Sequence, residues 1–551
     1  MTAVSSEPTA TATTEAHGQA APPPKTTGRA VARNTAIFSI ATGLSRIAGL
    51  VREIVASSYF ATSGAFSAFT IAFQLPNVVR SLFADAALSA AFVPVFTELL
   101  EQGRRKDAFR LASTLFFLIV TVLGAITVLF IVGAGVVMPL FTGHTFSAQL
   151  DQLTVGLSRV LFPVVLILGL NGLVVGMLNA YDHFAVPALS PLVWNAVILV
   201  CLIASHQVLS GDEQLYGYAV GVLAGTAVQF AMAVPQLRRL GFHLELSLNF
   251  RDERVRQVLR LMLPVTIGLG LINFNLLINS TLGSLVSEQA ARAIDAAFRI
   301  YMLPQGMFSV AIATVLFPAL SRLAARKDLD GLRRLTSNGM RQIFLLLVPA
   351  AAATLALSTP ITRLIYEHGE FGPGSTELVS SALFWFSFSL PFSGVNLLLT
   401  RTFFSLQRPW ITTWIAGLNL AVNVVVSVAL YGPFGIPGIV VGTAASSAAM
   451  TLAQIYFLRR ELHGRLEGRE TLVAVGQMTA AAALLGGVAY GAWHVLDEAL
   501  GRALVGQVVS VIGGLTLGAV AYGLAVHLLR IPEARQIERL LAGRLLRRGK
   551  R

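Results

Sequence analysis

Ser45–Leu100 reads SRIAGLVREIVASSYFATSGAFSAFTIAFQLPNVVRSLFADAALSAAFVPVFTELL. Most of it is apolar enough to lie in a bilayer, yet it carries Arg46, Arg52, Glu53, Arg80 and Asp85. An ionisable side chain in hydrocarbon costs at least ~2.5–3.5 kcal/mol. These arginines therefore cannot face lipid. They need a protected, wet cavity, and a cavity lined by arginines suits an anion. The stretch thus decides two things together: a helical membrane fold, and a polar interior within it.

The rest of the chain extends the first conclusion. Hydrophobic residues make up 55% of it and charged residues 13%, where a soluble chain holds about 25% charged. Apolar runs long enough to span a bilayer, about 20 residues each, recur from Thr35 to Leu529. The expected fold class is all-α integral membrane with about fourteen transmembrane helices, the first at 34–59 and the second at 63–101, interrupted by Pro76. The net charge of +13 would suggest nucleic acid in a soluble protein. Here the arginines sit in short loops between apolar runs, which is the positive-inside pattern, and no nucleic-acid partner is expected. The single cysteine, Cys201, excludes an intrachain disulfide and a thiolate metal cluster. The nine histidines show no HExxH or similar spacing and no phosphate-binding loop is present, so the reading is a transporter rather than an enzyme, with no metal.

The expected organisation is a polar tail at 1–33, a first half at 34–240, a second at 241–465, two further helices at 466–529 and a basic tail at 530–551. The tail at 1–33 has no apolar core and is not a cleavable signal peptide. The connections GRRKDAFR, RRLGFHLELSLNFRDERVRQ, SRLAARKDLDGLRR and RRELHGRLEGRE are basic, whereas ATSG, TGHTFSAQLDQ, SGDEQ and YGPFGIPG contain no Lys or Arg. This alternation places both termini in the cytoplasm and asks for an even number of spans.

The two halves resemble each other at an offset of about 224–225 residues. FTIAFQLPNVVR (69–80) sets against IDAAFRIYMLPQ (294–305), Pro94 against Pro318, and Asn195 against Asn419. Six helices separate the copies, so both insert with the same orientation. A parallel repeat of this kind places a cavity between its halves and suits rocking motion.

Within the membrane, Asp295 and Arg299 are spaced i,i+4 and can pair. Arg46 has no carboxylate at helical spacing, and Glu53, next to Arg52, points elsewhere. Arginines thus outnumber nearby acids. The candidate anion ligands are Arg46, Arg52, Arg80 and Arg299 with Asp85, supported by Ser45, Asn77, Ser67 and Asp295. The planar guanidinium fork suits phosphate better than an ammonium does. The intramembrane asparagines read mostly as interhelical hydrogen-bonding groups. Asn275, Asn419, Asn423 and Thr443 could share a cation, but all four are neutral, which makes a poor cation cage.

The segments SRIAGLVREIVASSYF and LPNVVRSLFADAALSAAFVPVF, together with MLNAYDHFAVPALSPLVWN and LPQGMFSVAIATVLFPALSR, resemble the MurJ/MviN-type lipid II flippases of the MOP exporter superfamily. The resemblance runs from about Thr35 to Leu529. It implies two six-helix lobes around a cationic cavity, with two C-terminal helices forming a lipid-tail groove. The implied activity is movement of undecaprenyl-pyrophosphate-linked peptidoglycan precursor (lipid II) to the outer leaflet of the bacterial cytoplasmic membrane. It matches Arg46, Arg52, Arg80, Asp85 and Arg299 to the family's essential residues. Ser67 and Phe298 stand where an acid is common in the family, LQRPWITT (406–413) replaces its QDTRTP-like segment, and Asn423 stands where some members have the aspartate of a sodium site. Implied partners are lipid II, membrane lipids and cell-wall synthesis proteins. No cofactor is expected; the driving force is left between the membrane potential and a monovalent ion. The competing readings are a MOP-type exporter of another polyprenyl-linked oligosaccharide and a non-transporting cell-wall scaffold.

Overall fold

A computed structural model describes residues 28–83, 86–181, 183–245, 247, 249, 251–462 and 466–535. Most of both expected tails, and Asp85, lie outside the described residues. In hydrocarbon every backbone N–H and C=O must be satisfied within the segment, so apolar runs fold as helices. No strand occurs among the described residues.

The order is α1 (Gly28–Phe60), α2 (Gly64–Phe83), α3 (Ala86–Glu101), α4 (Arg105–Val137), α5 (Ala148–Leu161), α6 (Pro163–Ala180), α7 (Ala185–Val208) and α8 (Glu213–Arg239). Then come α9 (Glu253–Val286), α10 (Ala290–Pro304), α11 (Val310–Ala325), α12 (Leu329–Ala356), α13 (Ser358–Tyr366), α14 (Pro373–Ser387), α15 (Leu390–Ser405), α16 (Pro409–Phe434) and α17 (Ile436–Glu461). The last two are α18 (Gly468–Leu500) and α19 (Leu504–Leu528). Several starts are fixed by side-chain caps: Ser147 accepts from Leu150 N–H, Asp252 from Arg254 N–H and Asp328 from Gly331 N–H.

Ten of these helical stretches are long and apolar enough to cross a membrane, or eleven when α14 and α15, bent by 51° at their junction, count as one span. Three stretches of the expected fourteen fall outside that set: α1, α2–α3 and α9. The first two carry Arg46, Arg52, Glu53 and Arg80; several side chains of the third lie outside the described ones, and its stretch 261–278 contains no Asp, Glu, Lys or Arg. Two boundaries also differ from expectation. Helix α1 already begins at Gly28, inside the expected tail, and α2 runs unbroken through Pro76 to Phe83. Neighbouring groups in a packed interior can absorb the one backbone bond a proline removes.

The repeat is visible in the element order. Helices α2 and α10 start at 64 and 290, α5 and α14 at 148 and 373, α7 and α16 at 185 and 409, and α8 and α17 at 213 and 436. The fourth and tenth stretches are even broken at equivalent places, α5/α6 near Phe162 and α14/α15 near Phe388. Buried apolar side chains form two large clusters, one running from Ala56 to Val258 with Leu277 and Ala291, the other from Leu282 to Leu466. Helix α9 contributes to both, so the expected division near 241 falls before a helix that each half uses. Two smaller clusters seat α18 and α19 on α12, through Leu345, Met478 and Val526 and through Leu357, Leu485 and Ala489. Buried Arg341 of α12 reinforces this seat, pairing with Glu467 at 2.9 Å and with Glu533.

The two halves touch at the end whose loops lack Lys and Arg. Thr62 and Ser375 hydroxyls lie 2.8 Å apart, Glu370 N–H donates to the Ser58 carbonyl at 2.9 Å, and the Thr145 hydroxyl donates to the Ser284 carbonyl. Toward the basic end, Leu44 and Ile47 of α1 and Met302, Met307 and Val310 beside α10 are exposed. The close contacts just named between the halves therefore lie at the Lys/Arg-poor end, and we take the space between α1 and α10 toward the basic end as the cleft.

Candidate functional site

Helices α1 and α10 line the closed part of this cleft. A cluster of two arginines and two carboxylates joins them. Arg292 Nη2 donates to Glu53 and, at 2.8 Å, to the Ser57 hydroxyl, while its Nη1 reaches Asp295 at 3.0 Å. Arg299 Nε lies 2.9 Å from Asp295 and 3.2 Å from Glu53. Arg292 and Glu53 are almost fully buried, at 1% and 3% exposure, whereas the Arg299 side chain keeps 35%. The Arg292 guanidinium also stacks over the Phe66 ring at 4.1 Å, and its backbone N–H donates to the Ser67 hydroxyl at 3.2 Å. Such a buried, mutually hydrogen-bonded set satisfies its own charges.

Beyond this cluster, toward the basic end, the balance changes. Arg52 is buried and lies 4.9 Å over the Trp194 ring of α7. That ring is held by a 3.0 Å bond from its N–H to Thr226. Asn195, the next residue, donates to the Ser45 carbonyl at 3.3 Å and so fixes α1 against α7. Arg46 is exposed, and its Nη1 lies 3.1 Å from the position a Cβ would take on Gly306. Gly306 belongs to a π-helical turn, Gln305–Ser309, that follows Pro304; such turns are frequent at functional sites. Neither Arg46 nor Arg52 has an ion-pair partner among the described residues. Arg80 sits half-buried in the last turn of α2. At 1.5 Å per residue, Arg52, Arg46 and Arg80 lie roughly 12, 21 and 24 Å along their helices from the closed end.

The sequence expectations fare unevenly here. Asp295 and Arg299 pair as expected. Arg299 is not an uncommitted cation, because Glu53 and Asp295 both hold it, so the positive excess rests on Arg46 and Arg52. Ser67 is fully buried behind the cluster, where it anchors the start of α10 and does not line the cleft. Ser45 contributes its carbonyl to Asn195, and Asn77 is half-buried in α2. Arg292 is absent from the residues the sequence singles out. Its signal is nonetheless present: it stands three residues before Asp295, so two arginines flank one acid on one helix face and require a second carboxylate.

Asn275, Asn419, Asn423 and Thr443 do come together, with Asn279 and Ser427. Asn275 donates to Asn419. Asn423 donates to Asn275 at 3.2 Å and to Asn279 at 2.9 Å, and Asn279 donates to Thr443 at 3.0 Å. The Asn423 oxygen accepts from Ser427 at 3.3 Å. Every amide oxygen thus already accepts from a neighbour, and no carboxylate is present to balance an ion. In this arrangement these residues hydrogen-bond one another and clasp α9 to α16 and α17. The melting temperature of the purified protein is accordingly expected to be the same in sodium as in potassium, and a sodium-specific rise would contradict this. No group of three or more His, Cys, Asp or Glu suited to a metal occurs among the described residues.

Residues 56–508 match the family model described as lipid II flippase MurJ. A probable lipid II flippase MurJ of Rhizobium meliloti is 30% identical over 457 residues, covering 81% of this chain and 84% of the relative. One from Vibrio cholerae is 28% identical over 520 residues, covering 92% and 97%. Among solved structures, a lipid II flippase MurJ in an inward closed conformation superposes with a TM-score of 0.75 at 20% identity, over 90% of this chain and 99% of that one. An inward-facing MATE-family multidrug transporter of the MOP superfamily superposes with a TM-score of 0.66 at 14% identity, over 78% and 98%. At these identities the two structures speak for the fold alone.

Proposed function

The chain belongs to the lipid II flippase MurJ family, and from that premise we propose how its cleft carries out lipid II transport. The protein is a multi-span membrane protein, and its function is that of a lipid II flippase. In the proposed orientation the basic end faces the cytoplasm, as the excess of arginine there favours, and the membrane is the bacterial inner membrane. The cleft is then open inward and closed outward. The two six-helix halves act as rocking lobes, and α18–α19 serve the lipid tail.

One observation carries the reading: Arg46 and Arg52 are guanidiniums with no carboxylate in ion-pair range among the described residues, placed in a cleft that is closed at one end. A diphosphate with its lipid tail still in the bilayer is an anion that such a cleft can take. Paired phosphates accept two parallel N–H bonds from each guanidinium, and the low dielectric strengthens them. Arg299, half committed to Glu53 and Asp295, sits deeper along the same path. An arriving phosphate competes with Glu53 for it and so loosens the link between α1 and α10. Opening the outer end needs that link broken, since Glu53 belongs to one half and Arg292 and Arg299 to the other. Nucleotide hydrolysis and covalent chemistry have no part in this cycle. The membrane potential supplies about 2.3 kcal/mol per charge per 100 mV to a moving charge.

The test is complementation. A bacterium depleted of its own lipid II flippase is expected to grow when this chain is expressed in its membrane. Failure of growth with the protein verified in the membrane counts against the substrate assignment.

A further inference from the structure

The contacts that close the Lys/Arg-poor end come in pairs related by the internal repeat. A Cβ on Gly143 would lie well inside 3.0 Å of the Ser284 carbonyl oxygen, and a Cβ on Gly369 equally close to the Ser58 carbonyl oxygen. Gly143 and Gly369 are separated by the same offset as Ser58 and Ser284, 226 residues. Each carbonyl also receives one hydrogen bond from the loop that seats on it: the Thr145 hydroxyl donates to Ser284, and Glu370 N–H to Ser58. Ser58 and Ser284 stand in the last turns of α1 and α9, the first helix of each half. Carbonyls in a last helical turn lack an intrahelical partner. Here the opposite half supplies it.

Two further contacts locate the symmetry axis. A Cβ on Gly64 would meet Glu288, and the Ser67 hydroxyl accepts from Arg292 N–H at 3.2 Å. Ser67 and Arg292 are 225 residues apart, the offset of the aligned segments 69–80 and 294–305, and Gly64 and Glu288, 224 apart, lie within one residue of it. A residue that touches its own equivalent lies at the pseudo-twofold axis. The axis therefore passes through the starts of α2 and α10, and the two glycine seats flank it.

We propose that Gly143 and Gly369 are paired positioning residues of the transport cycle. Each lets a loop of one half rest its backbone directly on the last-turn carbonyl of the other half's first helix. The end closes only when both seats are filled and opens when both loops lift and water takes over the carbonyls. Any side chain at either position is a wedge. Gly369 also has φ +61°, which disfavours other residues; Gly143 does not share that feature, so a change there isolates the wedge. The consequence for transport rests on the rocking motion proposed above, but the contact itself can be read without substrate.

The experiment uses the full chain in membranes with Cys201→Ser and the pair Thr62→Cys and Ser375→Cys, whose native hydroxyls are 2.8 Å apart. Mild oxidant is expected to cross-link this parent readily. Gly143→Ala and Gly369→Ala are each expected to slow cross-linking several-fold, and the double variant more. Gly124→Ala, on a helix with nothing near its Cβ, is expected to match the parent. Thr145→Val adds no bulk and removes one donor; it is expected to slow the reaction by about 2- to 10-fold, the worth of one hydrogen bond. A parental rate in Gly143→Ala overturns the proposal. If that variant does not accumulate as folded protein, a parental rate in Thr145→Val overturns it instead. Loss of complementation by the unmodified chain would strike the lipid II reading and leave this result untouched.

Discussion

Arg46→Ala is expected to abolish complementation while leaving the melting temperature of the purified protein unchanged. Arg46 is exposed, its guanidinium lies beside the Gly306 turn, and no ion pair to it occurs among the described residues, so its loss should cost the fold little. A charge-assisted hydrogen bond is worth about 1.5–3 kcal/mol, which is roughly ten- to a hundredfold in affinity for the diphosphate. Lipid II binding to the purified protein should weaken by that factor. Arg52→Ala should act in the same direction but also lower stability somewhat, because Arg52 is buried against Trp194. Arg46→Lys should recover only part of the loss, since the ammonium lacks the planar fork. Full complementation by Arg46→Ala would remove this residue from the substrate path.

Glu53→Ala has a different signature. It deletes one of two acids from a cluster in which Arg292 is fully buried. Leaving a buried charge short of its partner costs about 3–5 kcal/mol, so the melting temperature should fall markedly. The same change frees Arg299 and cuts the ion pairs between α1 and α10, so transport should fail as well. The double variant Glu53→Met with Arg292→Met tests whether the pair is needed for the fold or for the cycle. Replacing a buried pair by apolar residues of similar size is often neutral for stability. The double variant should therefore regain most of the lost melting temperature without regaining transport. Recovery of both would make the cluster a packing device only.

Much of this architecture is legible in the amino-acid sequence. The membrane class follows from the apolar runs, and the cavity from arginines that lipid would not tolerate. The repeat shows in short matched segments, and the helix order repeats at nearly constant spacing. Partnership across the halves is not legible. Glu53 looks idle in the sequence because Arg292 is 239 residues away and Arg299 further still. Arg292 itself does not stand out, because a buried cation reads like a loop-proximal one until its neighbours are known. Ser67 looks like a missing acid in the cleft, but it faces the backbone of Arg292 instead. Pro76 looks like a helix break, yet α2 continues past it, because proline removes one hydrogen bond and packing decides whether the helix survives the loss. Likewise the amides Asn275, Asn419 and Asn423 are recognisable as a group, but only their hydrogen bonds show that they satisfy one another.

The decisive quantity is the amount of lipid II exposed on the outer face of a flippase-depleted bacterium that relies on this chain. Lipid II labelled from outside should be restored by the wild-type chain and absent with Arg46→Ala present at the same level in the membrane. Absence of outer-face lipid II with the wild type, or its full restoration by Arg46→Ala, would contradict the claim that an arginine cleft carries the substrate.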